Sequence, residues 1–168
     1  MTYPPYVSAE NNENPFATIW APPIQGLAKA FFTPHMAPTP VATRLPQPDR
    51  TSDTVNGFLR IEAAGGALQP DAYLFNCDIT LYSYSPANEE SLGELIMMRA
   101  LAKGGNAAGQ AITHPSLQKP WYVTYSRISG LAIKLNDPVV SLAKFRGQVT
   151  WRIQGQPDPL PADPDPLQ

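Results

Sequence analysis

The chain has 168 residues, enough to bury one real core but not two independent ones. Twelve basic residues against fourteen acidic ones, a net charge of -2, give no electrostatic footprint of the kind that binding to a phosphate backbone requires, so a dedicated nucleic-acid binder is not expected. The single cysteine, Cys77, rules out an intrachain disulfide and a thiolate metal cluster built from this chain alone.

Proline is the most uneven component. Of twenty prolines, ten precede residue 49 and five fall in the last twelve residues. Proline fixes φ and removes a backbone donor, so both ends are expected to be extended arms and not core. Residues 1–21 read as an irregular N-terminal arm anchored by Tyr3, Tyr6, Phe16 and Trp20, residues 22–155 as one domain, and residues 156–168 as a proline- and aspartate-rich tail. Met1-Thr2-Tyr3-Pro4-Pro5 has neither a basic nor an apolar leader region, and no stretch approaches the ~18 apolar residues of a membrane span. A soluble protein made inside the cell, with no membrane partner, is the expectation.

In chain order, Pro22-Pro23 sets a helix start, and Ile24, Leu27, Ala28, Phe31 and Phe32 form one apolar stripe of a helix that is expected to end before Pro34. Val41 to Pro46 reads as a short strand. Gly57 to Ala64 is the next, with Phe58, Arg60 and Glu62 on one side, Leu59, Ile61 and Ala63 on the other, and a hairpin turn at Gly65-Gly66. A strand from about Tyr73 to Tyr84 follows, with Tyr73, Phe75, Cys77, Ile79 and Leu81 inward.

Ser85-Pro86 reads as the start of a second helix, capped by the serine, with Leu92, Leu95, Ile96 and Ala100 buried and Gly104-Gly105 as its left-handed cap. Trp121 to Leu135, bent at Gly130, and Lys144 to Gln154 complete the strands. In Phe145 to Ile153 every odd residue but Gly147 is apolar and every even one polar, the period-two mark of a half-buried strand. The order α-β-β-β-α-β-β implies an α+β fold: a single, mostly antiparallel β-sheet with two helices on one face and extended N- and C-terminal arms.

No residue pattern points to catalysis, a cofactor or a metal. His35 and His114 sit beside prolines in connectors, without the spacing of a zinc site. No Gly-x-Ser-x-Gly elbow occurs. Gly104 to Gly109 looks like a phosphate loop only superficially, because it follows a helix where such a loop must follow a strand. Asp71 and Asp78 give no acid-base geometry. A structural or assembly role, and no enzymatic one, is expected.

Several elements occur together in a known order: Thr43-Arg44-Leu45-Pro46, Gly65-Gly66, a strand running into the Pro86-to-Lys103 helix, Arg127-Ile128-Ser129-Gly130, Asn136-Asp137-Pro138, and Phe145-Arg146 opening the last strand to Gly155. In these, over roughly residues 24–155, the chain resembles the tail terminator proteins of long, flexible-tailed phages, particularly those of actinobacteria. The resemblance implies a six-membered ring at the head-proximal end of the tail tube, at the tail-neck junction of a virion. Its partners would be other copies of itself, the tail tube protein and a neck or stopper protein, with DNA only as passing cargo. A ring of this kind needs a rigid sheet and a heterologous interface that closes by rotation, and no active site.

Tyrosine, tryptophan and arginine are enriched at interface centres, which singles out Tyr82, Tyr84, Trp121, Tyr122, Arg146 and Arg152 as subunit or partner contacts. For Trp121, packing beneath the helices is an equal alternative. Rival readings are a head-side stopper, the tube subunit itself, or a small-ligand-binding or hydrolytic domain.

Overall fold

The structure, a computed structural model, describes residues 19–45, 57–64, 68–69, 73–117, 119–136 and 142–157. Its elements are β1 (Ile19–Trp20), α1 (Ile24–Met36), β2 (Val41–Ala42), β3 (Phe58–Ala64), β4 (Leu68–Gln69) and β5 (Leu74–Pro86), followed by a 3-10 turn (Ala87–Glu89). Then come α2 (Glu90–Gly105), β6 (Ala111–Thr113), β7 (Pro120–Leu135), β8 (Leu142–Gln154) and β9 (Gln156–Pro157). One mixed sheet has the order β2-β3-β5-β8-β7-β6, with β4 added to β5, while β1 and β9 pair separately. Both helices pack on one face, so the expected α+β architecture is observed. The short strands β1, β4, β6 and β9 are additions that the sequence does not announce.

The core lies between that face and the helices. Its sheet side is Leu59 and Ile61 of β3, Cys77, Ile79 and Leu81 of β5, and Phe145, Val149, Trp151 and Ile153 of β8, all buried. Strand β8 therefore alternates as its sequence dictates, with Arg146, Gln148, Thr150 and Arg152 on the other side. The α1 stripe is buried as expected, and Phe31 and Phe32 close on Trp151 at ring distances of 5.1 and 5.9 Å. The Trp151 Nε1–H donates to the Gly104 carbonyl at 2.8 Å, which fixes the end of α2 against the sheet. Gly147, the gap in the apolar alternation, faces inward: a Cβ there would lie 2.7 Å from Met97 Sδ and 2.9 Å from Leu101 Cδ2.

Several local expectations are corrected. Helix α1 runs through Pro34 to Met36, and His35 is therefore helical, its Nδ1 2.7 Å from the Phe31 carbonyl and its ring stacked on Phe31. A proline in the last turn removes only one hydrogen bond, and carrying the helix on buries Met36 completely. Tyr73 is not inward; it sits at φ +50° before β5, 37% exposed. Ser85 does not cap a helix: it remains in β5, paired with Ala143, and α2 starts at Glu90 without a side-chain cap.

The buried stripe of α2 is Gly93, Ile96, Met97, Ala100, Leu101 and Gly104, whereas Leu95 is 62% exposed. Small residues at 93 and 104 let the helix sit close to the sheet and thus decide which face turns in, so a stripe drawn from large residues alone is rotated. Gly104 and Gly105 remain helical, and the helix stops at Asn106, whose N–H donates to the Lys103 carbonyl. Gly65-Gly66, Asp71 and Asp137-Pro138 fall outside the described residues, as do residues 1–18 and 158–168. At the boundaries of the two arms, Ile19 and Trp20 pair with Pro157 and Gln156.

The two edges of the sheet differ. Beyond its short parallel partner β2, β3 is closed by a side chain: Gln25 Nε2 donates to the Ile61 carbonyl at 2.9 Å and Gln25 Oε1 accepts from the Ala63 N–H at 2.7 Å. One amide thus imitates a strand. On the far side, β6 pairs β7 only from Pro120 to Tyr122, and from Thr124 to Leu135 that edge pairs no strand among the described residues. Replacing Gln25 with alanine removes both bonds and is expected to cost about 1–2 kcal/mol. Urea denaturation checks the cost, and amide exchange should show the loss of protection at Ala63.

Candidate assembly interface

Strand register sets side chains in rows across the helix-free face. From one end the rows are Phe58-Tyr84-Lys144-Leu135, Arg60-Tyr82-Arg146-Ile133, Glu62-Thr80-Gln148-Gly130, Ala64-Asp78-Thr150-Arg127 and Asn76-Arg152-Tyr125. The Tyr82 ring lies between the Arg60 guanidinium, 5.2 Å from its centroid, and the Lys144 ammonium at 5.0 Å. Arg60 also pairs with Glu62. Arg152 covers the Tyr125 ring at 5.4 Å and donates from Nε to Asn76 Oδ1 at 3.0 Å, and Thr150 donates to Asp78 at 2.7 Å. Cations stacked on aromatic faces hold long side chains in place at about 0.5–1 kcal/mol each. The face is thereby partly pre-ordered.

Its charge is one-sided. Among the described residues, Arg60, Arg127, Lys144, Arg146 and Arg152 stand against two carboxylates, Glu62 and Asp78. Arg127 and Arg146 are exposed and have no ion-pair partner among the described residues. The near-neutral total conceals a partition along the chain: residues 22–155 carry all twelve basic side chains and nine acidic ones, while residues 1–21 and 156–168 carry five acidic side chains and no basic one.

Of the residues singled out from the sequence, Tyr82, Arg146 and Arg152 come together on this face, with Arg146 exposed and the other two half-buried. Tyr122 is 54% exposed, on the opposite side of β7 from Trp121. Two are corrected. Tyr84 is 2% exposed, packed beside Phe58 with Lys144 over its ring, and Trp121 is fully buried opposite Ile112. Both belong to the interior of the fold.

The sequence reading missed the apolar side chains of β7. Among the described residues, five of the nine exposed large hydrophobic side chains lie on this strand: Tyr122, Tyr125, Ile128, Leu131 and Ile133. Trp121, Val123, Leu131 and Ile133 share one parity, which suggests one continuous inward face. Register shifts between Val123 and Tyr125 and around Gly130 break that continuity, so Val123 opposes buried Ile153 while Ile133 opposes exposed Arg146. The Ser129-Gly130 kink was the available signal.

On the helix side, His114 is a turn residue whose Nδ1 accepts from the Ser116 N–H at 3.0 Å. No group of three or more His, Cys, Asp or Glu among the described residues could hold a metal ion. No helix there is long and apolar enough to cross a membrane.

No protein-family model matches the chain, and no curated protein matches it. Among solved structures, a chain of the virion of a native gene transfer agent particle is similar at 10% identity with a TM-score of 0.47, over 71% of this chain and 82% of that one.

Proposed function

We propose that this chain is a structural subunit of a phage-like virion, without enzymatic activity, which assembles with its own copies into a ring that caps the head-proximal end of the tail tube and receives the neck. The observation that carries the assembly reading is the helix-free sheet face, a pre-ordered surface of tyrosine and arginine that includes the exposed Tyr125 and Ile133 of β7. Residue types enriched at interface centres stand there on rigid strands. Five cations would hold passing DNA and slow it, so this face suits a contact between subunits or rings better than the channel wall. The position at the tail end rests on the resemblance to tail terminators.

The test is negative-stain electron microscopy of the protein mixed with polymerising tube protein from the same source. Shortened tubes with an extra ring at one end support capping. Tubes of unchanged length with bare ends refer the ring to the neck side, and unlimited self-assembly makes the chain the tube subunit. Changing Arg146 and Arg152 together to alanine is expected to weaken assembly several-fold while the circular dichroism spectrum and the urea midpoint stay close to those of the parent. A collapse of the midpoint would contradict their placement on the surface.

A further inference from the structure

The partition of charge has a geometric side. Residues 22–155 carry twelve basic and nine acidic side chains, and the five remaining carboxylates, in end segments that hold no basic residue, include Asp158, Asp163 and Asp165 in the segment that follows Pro157. We infer that segment 158–168 of one copy docks on the cationic helix-free sheet face of a neighbouring copy, with its aspartates against Arg127, Arg146 and Lys144. This rests on the self-association proposed above and names the contact that carries it.

Charge complementarity selects the occupant. The segment offers three carboxylates and four prolines, and proline-rich chain lies extended on a surface without competing for the sheet's hydrogen bonds. Reach weighs in favour of a neighbouring copy, because a segment folded back on its own face must first reverse direction. The chain leaves β8 at the Gln154 end, where Gly155 N–H donates to the Tyr73 carbonyl, Gln156 Nε2 donates to the Pro120 carbonyl, and β9 is tied to β1. Arg146 stands eight residues back along β8, about 26 Å at ~3.3 Å per residue. Asp163 lies six residues beyond Pro157, about 19 Å at ~3.1 Å per residue. Folded straight back on its own face, the segment would bring Asp163 past Arg152 and Arg127 but short of Arg146 and Lys144, and Asp165, about 25 Å from Pro157, would come level with Arg146 only if no residue were spent on reversing direction. A segment arriving from another copy has no such limit.

The experiment uses cross-linking of full-length chains. Ala162→Cys is made in one chain and Gln148→Cys, in the row between Arg146 and Arg127, in another, so that every charge is kept. The native Cys77 is buried and stays out of the reaction. Under mild oxidation the mixture is expected to give a covalent heterotypic dimer several-fold faster than either variant alone. Adding Asp163→Asn and Asp165→Asn, or raising the salt to 1 M where the screening length falls to about 3 Å, should slow it several-fold.

Three results overturn the inference. One is a heterotypic rate no higher than the homotypic ones, and another is a rate indifferent to both charge and salt. The third is a chain carrying both substitutions that only closes on itself. Duplex DNA retained by the protein in the absence of a cross-link would assign the face to nucleic acid instead. The same variants are scored in the tube assay. Capping without the cross-link sinks this contact and leaves the proposed function standing, whereas the cross-link without any effect on tubes does the reverse.

Discussion

Changing Trp151 to alanine is expected to remove about a third or more of the protein's stability. The side chain is fully buried, meets Phe31 edge-on and Phe32 face-on, and ties α1, β8 and the end of α2 together. Truncating a buried tryptophan costs about 3–5 kcal/mol. The Gly104 carbonyl, deprived of its donor, adds about 1–3 kcal/mol. The two overlap, because a relaxed cavity can admit water to the carbonyl, so a total near 5 kcal/mol is expected against a whole-domain stability of about 5–15 kcal/mol. Phenylalanine at the same place keeps most of the packing and isolates the bond, at about 1–2 kcal/mol. Urea denaturation followed by far-ultraviolet circular dichroism reads both. An alanine variant that loses less than its phenylalanine counterpart would show that Trp151 is not the centre of this core.

Valine at Gly147 tests the opposite error, too much volume. The β-branched side chain suits a strand, by up to ~1 kcal/mol on propensity alone. Local preference and packing therefore predict opposite signs. Because a Cβ would already lie within 3 Å of Met97 and Leu101 across a closed interface, overpacking should win, with a net loss of about 1–3 kcal/mol. Both neighbours are side chains and not backbone, so the loss should be partly reversible: Met97→Ala, destabilising in the parent, is expected to cost less in the Gly147→Val background. Strict additivity of the two changes would mean that they do not share a space.

These two positions also show what could be read from the residues. The alternation through Phe145 to Ile153 established which face of β8 is buried, including the glycine that interrupts it, because a period of two admits only one assignment for a strand covered on one side. Helix α2 was harder. Its inward face is set by Gly93 and Gly104 as much as by Ile96, and small residues carry no apolar signal, so Leu95 was drawn in wrongly. Pro34 misled for a different reason: the rule against proline in helices weakens in the last turn, where one lost bond is outweighed by burying Met36.

For the candidate interface, residue type was a better guide than depth. Arg146 and Tyr82 were found because their strands alternate cleanly. Tyr84 has the same parity as Tyr82, yet Phe58 and Lys144 cover it, and such cross-strand neighbours are visible only once the register is known. The exposed apolar residues of β7 escaped because irregular pairing exchanges the meaning of odd and even partway along a strand.

The unequal edges limit how sheets of this protein can join. With Gln25 and the short β2 occupying the β3 border, the longest stretch left for backbone pairing among the described residues is Thr124 to Leu135 of β7, which favours the same stretch of a second molecule as its partner. That union turns the two β3 borders outward, where Gln25 already holds the Ile61 carbonyl and the Ala63 N–H. Edge pairing of this kind favours pairs over ribbons, and a larger array draws on faces, where side chains and not backbone amides choose the neighbour.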